Sequence, residues 1–349
     1  MRIRNKLAIV AMAVPLLGLL AACGKSEPPK PVTAATAPAA PPKEMVKWKH
    51  GLIKPQVASA FVLMAKNKEY FKKYGIDMEY QEFISAPLMT QALTAGALDS
   101  VEANPVGAIL VNTKGGNIKI IGSTMPGLDL AVYAKKELKT IADLQGKKIG
   151  TSAAKDLPDL LMRAIFQKEG LPTENATYAA VGGNGDRFNA LRTGAIDADV
   201  NSLDVLPQVE ADPKLHMITI GTDVVPNFPR LMLMVDGERI KSKPREAVVG
   251  VLAAMMEGLQ YATDHPDEAK RLAANNIGLS VDDPRIVRYY DLAIQRNFAS
   301  PRMEAQTQKI DWLQDFAVSM KMVPAKLPIE KLMDMSYRDE AFKIVYGNK

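Results

Sequence analysis

Two kinds of hydrophobic pattern succeed each other along this chain. Residues 76–83 alternate apolar and polar positions, as a half-buried strand does. Leu157, Leu160, Leu161, Ala164 and Ile165 fall on one face of a helix. Short apolar runs and helical stripes take turns from residue 46 to 235. Strands are predicted at 46–51, 76–83, 98–103, 118–122, 130–134, 178–181, 196–202, 216–221 and 231–235. Another closes the stretch 141–150, ahead of Thr151. Helices are predicted over 57–73 and 106–112, and in the stretches opened by Ser85, Thr151, Gly183 and Asp204. Strands alternating with helices give an α/β fold with a mostly parallel sheet. From Lys243 onward the pattern is helical. Val248, Val251, Leu252, Met255 and Leu259 make one apolar stripe, and further helices are expected over 267–274, 284–298 and 303–320.

One signature occurs twice, and it divides this pattern in two. Ala92-Leu93-Thr94-Ala95-Gly96-Ala97-Leu98-Asp99 is matched by Ala190-Leu191-Arg192-Thr193-Gly194-Ala195-Ile196-Asp197 at six of eight positions, with Leu and Ile taken as equivalent. Each copy reads as a helix end, a Gly able to adopt the left-handed cap conformation, and entry into a strand. The copies lie about one domain length apart. They predict two similar α/β lobes, with 130–134 crossing to the second and 231–235 returning. The carboxyl-terminal helices are expected to pack across both lobes.

The amino end belongs to neither lobe. Arg2, Arg4 and Lys6 precede an apolar run from Leu7 to Ala22, which ends Leu20-Ala21-Ala22-Cys23. That run is shorter than the roughly 20 residues a spanning helix needs and reads as an export signal. The sequence around Cys23 resembles a bacterial lipobox, in which the cysteine is acylated and becomes the new amino terminus. Acyl chains add about 0.8 kcal/mol per buried CH₂, so several of them hold a protein on a membrane. Residues 24–44, rich in Pro and Ala and without apolar period, read as an extended tether.

Composition narrows the chemistry. The chain has 349 residues, 47% of them hydrophobic and 24% charged, enough for two ordinary domains. Its net charge of +5 falls to +2 once Arg2, Arg4 and Lys6 are removed, and no basic stripe is interleaved with aromatics, so a nucleic-acid partner is not expected. Cys23 is the one cysteine, and His50, His216 and His265 lack ligand spacing, so neither a disulfide, a metal centre nor a cofactor is expected. No Gly-x-Ser-x-Gly elbow is present. Most of the 18 Met residues read as core filler.

Four features together resemble the extracytoplasmic substrate-binding proteins of ABC importers, and most nearly their sulfonate, taurine, nitrate and thiamine-precursor branch. Residues 65–76 resemble the family segment A-K-x-x-G-[YL]-F-x-x-x-G-[IL], departing from it at Glu69, where Gly is usual. Residues 141–150 resemble I-x-D-L-K-G-K-K-[IV]-G. The doubled signature and the lipobox complete the set. The resemblance implies a periplasmic-binding-protein-like fold of type II, with two crossover strands and ligand held between the lobes. Its layout would be a signal peptide at 1–22, an anchored tether at 23–44, a first lobe from 46–133 plus 232–349, and a second from 134–231. It further implies a monomer held to the membrane through Cys23 in the cell envelope, with an ABC permease and ATPase as partners and no catalysis. An enzyme on the same fold, of pyrimidine- or menaquinone-pathway type, and a sensory lipoprotein are the competing readings.

In open parallel sheets, ligands lie outside the carboxyl ends of the strands. The residues predicted there are Lys54, Ser85 and Asn104 in the first lobe, and Thr151, Ser152, Gly183, Asn184, Asn201 and Ser202 in the second, with Asn227 before the return crossing. Ser85, Thr151 and Gly183 sit near helix starts, whose free N–H groups favour an anionic oxygen. A small solute bearing a carboxylate, sulfonate or similar group is therefore expected, and aromatic acids, alkyl sulfonates and pyrimidine precursors all stay open. Lys54, Arg187 and Arg230 are candidate counter-charges, while Tyr133 and Phe228 either stack on a flat ligand or pack the hinge.

Overall fold

The computed structural model describes residues 44–53 and 56–347. The expected export signal, Cys23, nearly all of the expected tether and Lys54 lie outside them.

β1 (Val46–Ile53), β2 (Ile76–Phe83), β3 (Ser100–Ala103) and β4 (Ile118–Met125) join the late strand β10 (Leu231–Asp236) in one sheet, ordered β2-β1-β3-β10-β4. β5 (Leu130–Lys135), β6 (Lys148–Thr151), β7 (Thr177–Ala180), β8 (Ala198–Ser202) and β9 (Leu215–Ile220) form the other, ordered β7-β6-β8-β5-β9. The two sheets share one plan. Three strands run parallel, and the fourth, antiparallel, is the strand that arrives from the other lobe. The expected boundary after Tyr133 falls inside β5, which pairs throughout with β8 and β9. The chain therefore changes lobes between Met125 and Leu130, and returns between Val224 and Leu231.

The doubled signature does the same work in each lobe. Gly96 and Gly194 take φ values of 79° and 80°, and each donates its N–H to the Leu three residues back at 3.0 Å. Asp99 then accepts from the Lys49 N–H at 2.8 Å, and Asp197 from the Lys148 N–H at 3.0 Å. Each Asp thus ties the strand it leads into to that strand's parallel neighbour, β1 in one sheet and β6 in the other.

The helices are α1 (Ala60–Asn67), α2 (Tyr70–Lys73), α3 (Ala86–Thr94), α4 (Val106–Thr113), α5 (Leu157–Lys168), α6 (Asn184–Arg192), α7 (Leu206–Glu210), α8 (Gly221–Val224), α9 (Arg245–Asp264), α10 (Pro266–Ile277), α11 (Pro284–Gln295), α12 (Thr307–Ser319), α13 (Ile329–Leu332) and α14 (Ser336–Tyr346). The single helix expected over 57–73 is broken. A 3-10 turn at Val57–Ser59 leads into α1, and α2 begins afresh after Glu69, whose backbone is left-handed at φ 58° and ψ 21°. Glu69 is the position at which the family segment usually carries Gly.

α9 packs on α1, α2 and α14. A Cβ on Gly258 of α9 would lie 2.5 Å from the Ala65 nitrogen, so this glycine sets the approach of α9 to α1. Two carboxyl-terminal helices bridge the lobes, as the sequence led us to expect. α11 rests on the Val57–Ser59 turn and α10 on one side, and on the Leu203–Val205 turn and α7 on the other. α12 stacks Trp312 and Phe316 around Phe228 of the return crossing, and its Ser319 bonds Gln167 of α5.

Candidate functional site

The carboxyl ends of β1 and β3 lie against the return crossing, and that of β8 meets the outgoing one, where the Leu203 N–H donates to the Asp129 carbonyl. On the second lobe, the polar residues of this edge are locked to one another. Arg187, only 2% exposed, bonds the Asp199 carboxylate at 3.1 Å, the Gly182 carbonyl at 2.5 Å, the Asn184 side chain at 2.8 Å and the Asn201 side chain at 3.3 Å. Asn201 in turn donates to the Asn184 carbonyl and to Asp199, and accepts from the Ser202 N–H. Burial pushes the Asp199 carboxyl up to about 6, against the opposing pull of Arg187. The candidate counter-charge Arg187 is thus an internal brace, because its strand-facing side of α6 has no route to water.

Thr151 is buried at the end of β6 and donates to the Ala179 carbonyl at 3.3 Å. It does not open a helix. α5 starts at Leu157, where Asp156 accepts from the Leu157 N–H at 2.8 Å and from the Ser152 hydroxyl at 3.0 Å. Gly183 does cap α6, but its N–H already meets Asp186 at 3.2 Å. Both helix starts on this edge therefore carry a carboxylate of their own.

On the first lobe, Ser85 caps α3 and its side chain makes no capping bond. Asn104 is buried. It donates to the Pro229 carbonyl at 2.6 Å and accepts from the Val106 N–H at 3.0 Å, so it fastens the return crossing to β3. Asn227 is exposed in the turn before Phe228. Tyr133 and Phe228 both serve the hinge. The Tyr133 hydroxyl donates to the Ser202 carbonyl, and Phe228 is enclosed by α12.

Leu52, Ile53, Gln56, Glu102, Met125 and Arg230 surround a hollow of about 40 Å³ at the seam. The candidate counter-charge Arg230 is buried here and pairs with Asp129 through Nε at 2.5 Å. Tyr289 of α11 donates to the other Asp129 oxygen at 2.7 Å. Glu102 is 4% exposed and accepts from the Thr124 hydroxyl; burial pushes its carboxyl up to about 7. Glu102, Asp129 and Tyr289 escaped the sequence reading. The signal for Glu102 was legible: it sits inside an apolar strand, two residues from Ser100 and two from Asn104, all on one face.

Behind Glu102 on the same face, Ser100 Oγ lies 2.8 Å from His50 Nδ1 and accepts from Trp48 Nε1 at 2.8 Å. Burial lowers the His50 pKa to about 3, so this imidazole is neutral. A larger groove of about 600 Å³, with Lys119, Lys241, Lys331 and Asp334 in its walls, opens at the opposite pole of the first lobe. It lies where β4 begins and β10 ends, away from the strand ends that meet at the seam. The hollow beside the return crossing is the better candidate, because it lies at the carboxyl ends of the strands and holds two buried charged side chains, Glu102 and Arg230.

The family model described as NMT1/THI5 like matches residues 56–269. A binding protein of Brucella abortus is 25% identical over 225 residues, covering 64% of this chain and 69% of its own length. A Haemophilus influenzae protein named for thiamine biosynthesis is 25% identical over 215 residues, with 60% and 67% covered. Among solved structures, the periplasmic nitrate-binding protein of Synechocystis superposes with a TM-score of 0.72 at 15% identity, covering 87% of this chain and 90% of that one. The periplasmic aliphatic sulphonate binding protein of Escherichia coli does so with 0.67 at 19% identity, covering 85% and 99%. These likenesses give the fold, that of the periplasmic binding proteins.

Proposed function

This chain belongs to the NMT1/THI5-like family, and from that premise we propose that it is the solute-binding lipoprotein of an ABC importer. It captures a small organic solute between its lobes and hands it to a membrane permease powered by an ATPase. One observation carries this reading: a small hollow at the strand ends of the first lobe, beside the return crossing, lined by the buried Glu102 and Arg230 among apolar side chains. A solute seated there that also reaches the second lobe favours the closed arrangement by its differential affinity. The export signal and the acylatable Cys23 support an extracytoplasmic, membrane-tethered place.

We read it as a binding module without covalent chemistry. The Brucella relative is named as a binding protein, and His50, the histidine nearest Glu102 in the strand pairing, is neutral and engaged with Ser100. Small-angle scattering tests the capture step. A solute found by thermal-shift screening raises the melting midpoint and should reduce the radius of gyration of the chain from Met45 onward. A saturated protein whose profile superposes on the free one refutes closure.

A further inference from the structure

Two of the buried groups at the seam are only half used. One Glu102 oxygen accepts from Thr124, while Oε2 has no hydrogen-bond partner among the described residues. Arg230 commits Nε to Asp129, and neither Nη bonds any described residue. Both side chains line the same hollow of about 40 Å³. They are not an ion pair with each other, since the one carboxylate within 4.0 Å of Arg230 is Asp129. A cavity needs roughly 10–15 Å³ on the same kind of measure to hold one water. The hollow therefore seats one polar head, with the rest of a solute lying along the seam.

The charges decide which head. A carboxylate or sulfonate would bring a second negative charge against Glu102, and an ammonium, which has no acceptor, would leave the Arg230 Nη groups unmet. A head that offers a donor to Glu102 and an acceptor to Arg230 satisfies both. The second lobe agrees, because Asp156 and Asp186 already occupy the helix starts at which an anion would dock.

We infer that the seat between Glu102 and Arg230 admits a solute with an uncharged donor–acceptor edge, of the carboxamide, ureido or amino-heterocycle kind, and turns away simple carboxylates and sulfonates. This rests on the solute-binding reading above, and departs from the anion expected from the helix starts. Glu102 is faced by Thr124 on β4, Arg230 just before β10 and Tyr80 on β2, with Asp129 and Tyr289 behind Arg230. Its carboxyl, near 7, changes charge in the range where binding is measured.

Calorimetry on the full chain in detergent, with benzamide, nicotinamide and cytosine set against benzoate, nicotinate and benzenesulfonate, tests the assignment. An uncharged probe should bind while its acid counterpart does not. Glu102→Gln should weaken that probe about tenfold at pH 8, the loss of one charge-assisted bond. The unmodified chain should bind it severalfold more weakly at pH 6 than at pH 8, and Glu102→Gln should abolish that difference. Binding of benzoate or benzenesulfonate as tight as that of the amide, or affinities unmoved by Glu102→Gln at both pH values, overturns the seat and leaves solute capture standing. If neither these probes nor a broad panel of small organic solutes binds, capture fails and the seat with it. The amide-against-acid comparison uses the unmodified chain, so it decides even if Glu102→Gln does not fold.

Discussion

Glu69 holds a backbone conformation that a side chain disfavours, so changing it separates backbone strain from everything else at that position. For a residue with a Cβ, the left-handed region costs roughly 1–2 kcal/mol. Gly removes that strain but adds roughly 0.5–1 kcal/mol of unfolded-state freedom. Either substitution also gives up the ion pair with Lys72, whose partners are 63% and 66% exposed. A pair that open to water is worth at most a few tenths, about 0.3 kcal/mol. Glu69→Gly should therefore match or slightly exceed the parent in stability. Glu69→Ala keeps the strain and loses the pair, so it should fall below the parent. The Gly-minus-Ala difference, about 1 kcal/mol in favour of Gly, cancels the Lys72 contribution. Urea unfolding followed by the fluorescence of Trp48 and Trp312, the chain's two tryptophans, measures it. An Ala variant as stable as the Gly variant would mean that residue 69 is not held left-handed in solution, and would remove the reason given for the break between α1 and α2.

Two further substitutions use the same assay. Gly258→Ala should cost about 1–3 kcal/mol despite a helix-propensity gain of about 1, because its Cβ meets the Ala65 backbone and not a movable side chain; an increase in stability would refute the close approach of α1 and α9. Arg187→Met leaves Asp199 buried without its partner and should cost about 3–5 kcal/mol. Adding Asp199→Leu should then recover much of that loss, and a double variant no better than the single would show that the two do not form one unit.

The architecture was largely readable because period and punctuation act locally. The alternation at 76–83 became β2 over those same residues, and Gly96 and Gly194 became the left-handed caps their places in the doubled signature require. What failed depended on partners distant in sequence. Thr151 looked like a helix opener, but Asp156, five residues on, takes that role. The pairing of Arg187 and Arg230 with buried carboxylates was not legible either. Their carboxylates, Asp199 and Asp129, are brought to them by strand order, which no local pattern reveals. The pattern of β3 put Glu102 on the face of Ser100 and Asn104, but its partner Thr124 comes from β4, two strands away across β10, which no local pattern shows.

Helix α11 has a mechanical consequence. Tyr290 hooks the Val57 carbonyl, Tyr289 reaches Asp129 at the outgoing crossing, and the far side of the helix lies on the Leu203–Val205 turn and α7. Two ribbons alone would let the shells both swing and twist. A rigid strut off their line resists the twist and leaves mainly the swing, with slippage confined to the side against α7. If the lobes close as proposed above, they would come back to one register at each stroke.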